Sequence, residues 1–246
     1  MVNPSRDNIY DQYRQKVSDF VFDEKVAAVF DDMIRRSIPG YATVIGMTKV
    51  FAEHYVQPGS SCYDLGCASG ASTLAMRKGI DKDGCRIVAV DNSQAMLSRC
   101  SEVIHADDSD ISVEVVCADV NDIEIENASM IVMNYTLQFL SPENRDAMIQ
   151  RISDGMLGGG VLLLSEKIEF ESSTEQDFQV DMYHEFKKLM GYSDREVNQK
   201  RKALENVLIP DSLQTHKQRL YKAGFVKVHV WFQCFNFVSI AAFKKP

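Results

Sequence analysis

Cys62-Tyr63-Asp64-Leu65-Gly66-Cys67-Ala68-Ser69-Gly70 reads as an apolar strand that runs into a glycine-bearing turn and then a helix. An open α/β sheet binds its ligand outside the carboxyl ends of its strands, and a turn that brings bare backbone to a ligand needs residues without a Cβ, here Gly66 and Gly70. The same stretch also fits an ordinary strand-turn-helix junction. What decides between the two lies on either side of it.

Downstream, a helix is expected over residues 71–79, then a strand, Arg86-Ile87-Val88-Ala89-Val90-Asp91, apolar until its last residue. Near-continuous apolar strands are covered on both faces, as in a parallel sheet. Asn92-Ser93 caps a helix of about residues 94–106. A third strand, Val113 to Ala118, ends at Asp119; a fourth, Ala128 to Met133, ends at Asn134-Tyr135; proline opens the helix at Ser141-Pro142-Glu143. Gly158-Gly159-Gly160 reads as the stop of that helix, and Val161 to Leu164 as strand five, followed by Ser165-Glu166-Lys167. Residues 168–210 form a helical insertion with Phe178, Met182, Phe186 and Met190 on one stripe and a capping box at Ser193-Asp194-Arg195-Glu196. It follows strand five on the ligand side, which suits a lid or an interface. After a helix from Ser212 to Ala223, the runs 226–232 and 238–243 are two strands with a short connection, hence antiparallel. The expected fold is α/β: a doubly wound, seven-stranded, Rossmann-like sheet whose last strand pair is antiparallel.

Upstream, residues 1–20 lack periodicity and are expected to form a mobile or loosely docked arm. Val26, Val29, Phe30, Met33 and Ile34 mark a first helix, ended by Pro39-Gly40, and Val44, Met47, Phe51 and Tyr55 mark the inward face of a second, about residues 42–55. Residues 21–246 then make a single domain with the insertion 168–210.

The chain has 246 residues, 45% of them hydrophobic, with 35 acidic against 27 basic side chains and a formal charge of −8. A field of that sign repels a phosphate backbone, so direct nucleic-acid binding is not expected. The cysteines form no C-x-x-C pair and the histidines are scattered, which fits reduced thiols and no metal. With no apolar leader and no run near the roughly 20 residues of a membrane span, the expectation is a soluble, cytoplasmic protein without a membrane partner.

A dinucleotide site would want G-x-G-x-x-G; this chain has Asp64-x-Gly66-x-x-x-Gly70, lacking the middle glycine where backbone meets pyrophosphate. That weakens a nicotinamide-dependent oxidoreductase and suits one adenosine without phosphates. Asp91 can accept from both ribose hydroxyls, Asp119 from an adenine amino group while the Val120 amide donates to the ring, and Asp64 and the Gly66 carbonyl from an ammonium.

The antiparallel C-terminal pair resembles the sheet extension of class I S-adenosylmethionine-dependent methyltransferases. More specific segments are Phe22-Asp23-Glu24-Lys25-Val26, Arg36-Ser37-Ile38-Pro39-Gly40-Tyr41, Asp64-Leu65-Gly66-Cys67, Thr136-Leu137-Gln138-Phe139-Leu140, Lys200-Arg201 with Leu204-Glu205-Asn206-Val207, and Trp231 to Phe237. Over about residues 20–243 these resemble the carboxy-S-adenosyl-L-methionine synthase family. The resemblance implies an enzyme that takes S-adenosyl-L-methionine and prephenate, releases phenylpyruvate and water, and places the departing carboxyl on the activated methyl carbon, giving carboxy-S-adenosyl-L-methionine. It also implies a homodimer whose product goes to a tRNA carboxymethyltransferase acting on wobble uridine. Carried over residue by residue, Tyr41, Gly66, Cys67, Ala68, Asp91, Asn92, Asp119, Val120 and Asn134 would contact the cofactor. Arg201 would hold the carboxylate, and Arg201, Tyr41 and Asn134 would form the catalytic set. The turn departs from the family pattern at Ala68-Ser69. Taken alone, Arg201 between Lys200 and Lys202 fits a solvated basic helix face. Two other readings stay open at this level: an ordinary methyltransferase acting on tRNA or a small molecule, and a non-catalytic cofactor-binding protein that docks a partner through the insertion.

Overall fold

The computed structural model describes residues 6–13 and 15–246. Among them eight strands form one sheet: β1 (Ser61–Leu65), β2 (Arg86–Asp91), β3 (Ser112–Cys117), β4 (Ala128–Asn134), β5 (Met156–Glu169), β6 (Asp211–Ser212), β7 (Phe225–Cys234) and β8 (Phe237–Lys244). Their order is β3-β2-β1-β4-β5-β8-β7, with the short β6 paired to β5 off that path. The first five run parallel; β8 is antiparallel to both β5 and β7. The expected doubly wound sheet is therefore present, with β6 added. That strand was not legible because it is two residues, Asp211 and Ser212, paired only to the end of β5.

Among the described residues eight α-helices accompany the sheet: α1 (Glu24–Ser37), α2 (Tyr41–Tyr55), α3 (Ala71–Gly79), α4 (Gln94–His105), α5 (Pro142–Gly155), α6 (Ser173–Leu189), α7 (Asp194–Leu204) and α8 (Leu213–Lys222). The core strands β1 and β4 are buried along almost their whole length, as their unbroken apolar pattern requires. The Ser193–Glu196 capping box forms as expected. The expected inward face of α2 is present in part: Val44 is buried and the half-buried Phe51 and Tyr55 pack against the core, while the other fully buried residues are Thr48 and Ala52 and Met47 is half-buried. Thr48 is tolerated inside because its hydroxyl donates to the Val44 carbonyl at 3.0 Å.

Helix α5 stops at Gly155, not at the glycine run. A Cβ on Gly155 would fall 2.1 Å from the Ile125 carbonyl oxygen, so the helix end is pressed against that loop and only glycine fits. Gly158, Gly159 and Gly160 lie within β5, whose register with β4 shifts between Ala128 and Met130.

The arm also differs from expectation. Residues 1–5 and Arg14 lie outside the described residues, but Asp7 is 1% exposed and Tyr10 and Phe20 are buried. Asp7 accepts from the Tyr192 hydroxyl at 2.5 Å, its amide donates to Asp32 at 2.7 Å, and Arg36 donates to its carbonyl at 3.2 Å. A buried carboxylate survives only when so paired. The arm is thus pinned against α1 and the turn between α6 and α7, and sequence periodicity cannot see such a polar lock. Among the described residues no helix is long and apolar enough to cross a membrane.

Candidate active site

Strand β1 lies between β2 and β4, so the chain leaves the sheet in opposite directions on its two sides and opens a crevice at the carboxyl ends of the strands. A cavity of about 920 Å³ occupies that crevice. It takes in the turn after β1, the ends of β2 to β5, and faces of α1, α2, α6 and α7.

The turn after β1 is held by backbone: the Gly66 and Cys67 amides both donate to the Val90 carbonyl, at 2.8 and 2.9 Å. Gly66 has φ +81°, and a Cβ there would lie 2.1 Å from Thr136 Oγ1. Ala68 sits in the left-handed region at φ 44°, a strained conformation for a residue with a Cβ. Its amide donates to Asp91 Oδ2 at 3.0 Å, which offsets that strain. The family departure at Ala68-Ser69 is thus accommodated; Ser69 adds a hydroxyl bond to Asp31 at 2.9 Å.

Asp91 ends β2, and its other oxygen accepts from the Ser93 amide at 2.8 Å. Burial raises its pKa, opposed by the amides of Ser93, Ala68 and Asn92. Both oxygens keep lone pairs for a ligand. Asp119 is exposed, with Oδ1 taken by the Asn121 amide and side chain at 2.8 and 2.9 Å, and Oδ2 faces no donor among the described residues. Asn134, ending β4, donates to Ser72 Oγ at 3.0 Å while its buried Oδ1 has no partner. A buried acceptor without a donor costs about 1–3 kcal/mol, which a ligand N–H at this point would recover. The Asn134 turn is braced by Glu166, whose carboxylate accepts from the amides of Thr136, Leu137 and Gln138 at 3.2, 2.9 and 3.0 Å. Burial pushes the Glu166 pKa up to about 8 against the pull of those donors.

Tyr41, Gly66, Cys67, Ala68, Asp91 and Asn92 therefore meet Asp119, Val120, Asn134 and Arg201 around one cavity, though they are scattered over the sequence. Tyr41 lies beside Tyr135, ring centroids 6.4 Å apart, and burial raises its pKa. Asp64 stands apart. It does not line the cavity: 1% exposed, it accepts from Thr73 Oγ1 at 2.6 Å, and burial pushes its pKa up to about 7.

Sequence reasoning missed the opposite wall. Lys167 on β5, Lys187 and His184 on α6, and Lys200 beside Arg201 on α7 all line it. Lys200 is engaged: Nζ donates to Ser37 Oγ at 2.9 Å, Asp7 Oδ2 lies 3.7 Å away, and burial lowers its pKa to about 8. Lys167 and Lys187 flank the Tyr183 ring, their Nζ atoms 5.3 and 4.7 Å from its centroid. Burial lowers both ammoniums, helped by Arg201 at Lys167 and by Lys200 and Lys167 at Lys187, with Asp7 pulling the other way at Lys187. The one signal for Lys167 was its place at a strand end. Phe20 at the end of the arm and Phe22 just after it also line the cavity, on the Phe30 and Phe139 side. Among the described residues no group of three His, Cys, Asp or Glu side chains gathers that could hold a metal ion.

A family profile described as a methyltransferase domain matches residues 63–160, which span β1 to the start of β5. An O-methyltransferase family protein from Burkholderia thailandensis superposes with a TM-score of 0.65 at 14% identity, over 92% of this chain and 61% of that one. Human N-acetylserotonin methyltransferase, solved with SAM, superposes at 0.59 and 13% identity, over 91% of this chain and 56% of that one. The fold is that of the S-adenosylmethionine-dependent methyltransferases. At the level of sequence, the carboxy-S-adenosyl-L-methionine synthase of Marinobacter nauticus is 57% identical over 226 residues, 92% of this chain and 90% of that protein. The Shewanella oneidensis enzyme of the same name is 52% identical over 99% of this chain and 100% of its own. The chain belongs to the carboxy-S-adenosyl-L-methionine synthase family and is an enzyme.

Proposed function

We propose that the protein converts S-adenosyl-L-methionine and prephenate to carboxy-S-adenosyl-L-methionine, phenylpyruvate and water. The observation that carries this reading is the division of one cavity into an acidic wall, Asp91 and Asp119, and a cationic wall that includes Arg201. A methyl donor needs only the first. A second wall of cations suits an anionic co-substrate and a product that gains a carboxylate.

In this reading Asp91 accepts from the ribose hydroxyls, Asp119 from the adenine amino group with Val120 donating to the ring, and Asn134 Oδ1 accepts from the ligand's ammonium. Gly66, Cys67, Ala68 and Asn92 supply the surrounding backbone. Tyr41 closes the cavity over the reacting carbon and keeps water out. The reaction balances without an added oxidant or reductant. Prephenate loses its ring carboxyl as carbon dioxide and its hydroxyl as hydroxide, which aromatises the ring. The hydroxide takes one proton from the sulfonium methyl and leaves as water, and a carbon–carbon bond forms between that methyl carbon and the carbon dioxide. Arg201 holds the carboxylate so formed, since a guanidinium pairs bidentately and stays charged at any working pH.

A homodimer, and delivery of the product to a tRNA carboxymethyltransferase for wobble uridine, complete the proposal. The exposed Phe178, Leu189 and Met190 on and just after α6 are compatible with a subunit contact. The test is the mass of the nucleoside product after incubation with both substrates. A species heavier than S-adenosylmethionine by one carbon dioxide, formed together with phenylpyruvate, is the expected result; unmodified cofactor or only its demethylated product would refute it.

A further inference from the structure

Two ammoniums, one buried and one half-buried, are left over once the cofactor, Arg201 and the Lys200 network are accounted for. Lys187 is 4% exposed and Lys167 half-buried, both line the cavity, and among the described residues neither Nζ has a hydrogen-bond acceptor or a carboxylate within ion-pair distance. Their shared neighbour is the face of Tyr183, a weak partner for a cation. Holding two like charges out of water beside a third, Arg201, is costly unless an anion enters between them.

Their position says which anion. Along the strand ends the cavity runs from Asp119 after β3, through Asp91 on β2 and the glycine turn after β1, to Asn134 on β4 and Lys167 on β5. Lys167 is thus two strand spacings, about 10 Å, beyond the turn that faces the cofactor's sulfonium arm. Lys187 reaches the same region from α6, above β5.

Resting on the function proposed above, we infer that Lys167 and Lys187 form the subsite for the pyruvyl carboxylate of prephenate. The co-substrate carries two carboxylates. One leaves the ring and ends on Arg201's side of the cavity; the other stays on the pyruvyl arm through to phenylpyruvate and needs its own fixed cations. The lysine pair supplies them, with the Tyr183 ring as a rigid spacer that sets their separation. This makes the pair the determinant of specificity for a 2-oxo acid arm, independent of the carboxyl that is transferred.

Phenylpyruvate separates the two roles, because it retains only the pyruvyl carboxylate. In the full-length enzyme, Lys187→Met and Lys167→Met should each weaken phenylpyruvate binding, measured by titration calorimetry, by about tenfold or more. The prephenate KM should rise by a similar factor, while affinity for S-adenosylmethionine stays within about twofold. Arg201→Ala should leave phenylpyruvate binding intact. If Lys187→Met does not fold, Lys167→Met at its half-buried position decides the matter. Unchanged phenylpyruvate affinity and unchanged prephenate KM in the lysine variants of an enzyme that does make the carboxylated product would overturn the subsite alone. Loss of S-adenosylmethionine binding with phenylpyruvate binding intact would overturn it too, by assigning the pair to the cofactor's own carboxylate. An unmodified enzyme that binds phenylpyruvate through these lysines yet makes no carboxylated product would sink the proposed reaction and leave the subsite standing.

Discussion

The walls of the cavity at β2–β3 and at β5–α7 are built to opposite rules. At the first, single carboxylates end short apolar strands, and each is already oriented by backbone amides: Asp91 by Ala68 and Ser93, Asp119 by Asn121. At the second, cations come from a strand and two helices of the insertion, and among the described residues Lys167 and Lys187 have no hydrogen-bond acceptor and no carboxylate partner. The first wall is complete before a ligand arrives; the second is electrostatically incomplete. Preorganised acceptors suit a cofactor common to a whole fold class, and unsatisfied cations suit the anion that one family adds to it.

Breaking the cationic wall should have the larger effect. Arg201→Ala, which removes the proposed partner of the transferred carboxylate, should cut formation of carboxylated product by about a hundredfold or more. Affinity for S-adenosylmethionine should change little, which a thermal-shift titration checks; equal product yield from the variant would remove Arg201 from the reaction.

At the acidic wall, Asp91→Ala should weaken S-adenosylmethionine by about ten- to a hundredfold, since bonds to a charged acceptor contribute about 1.5–3 kcal/mol. Phenylpyruvate binding should be untouched, so the two walls dissociate experimentally. Comparable loss of both ligands would mean that they are not separate.

The smallest expected effect belongs to Asp64, which sits behind the first wall and has its pKa pushed from 3.8 up to about 7 by burial. The folded state holds that proton more tightly than the unfolded chain does. Asp64 therefore favours folding most below about pH 4, and this advantage is lost as pH rises through about 7. Asp64→Asn removes the titration, so the difference in melting temperature between the variant and the unmodified enzyme should shift in the variant's favour across that window. A difference flat with pH would mean that Asp64 is ionised throughout.

The acidic wall was legible in the sequence because its strands are apolar on both faces and then stop at a charge. Asp91 and Asp119 announce themselves in that way; Lys167 follows the apolar run 161–164, but β5 continues through it to Glu169, so its charge does not mark where the strand stops. Lys187 was hidden by a rotation. The stripe Phe178, Met182, Phe186, Met190 was read as the face of a lid or an interface, and Phe178 is 57% and Met190 37% exposed, while Tyr183 and Lys187 are the buried residues of the helix. The inward face of α6 is thus displaced from that stripe by one position, about 100° around the helix. The helix seats Tyr183 on Phe237, ring centroids 5.1 Å apart, at the edge of a polar cavity. A search for apolar stripes finds the outer face of such a helix and passes over a buried lysine on its inner one. The docking of the arm through Asp7 escaped for a related reason: its contacts are polar and reach Tyr192 and Lys200, far along the chain.

The central claim is that the carboxylate held by the cationic wall comes from the ring of prephenate and ends on the sulfonium methyl carbon. Running the reaction with prephenate isotopically labelled in its ring carboxyl tests that directly by mass spectrometry of the nucleoside product. The label should appear in the new carboxymethyl group, one per molecule, with unlabelled phenylpyruvate released alongside. A product without the label, or a methyl group passed on with S-adenosylhomocysteine left behind, would contradict it.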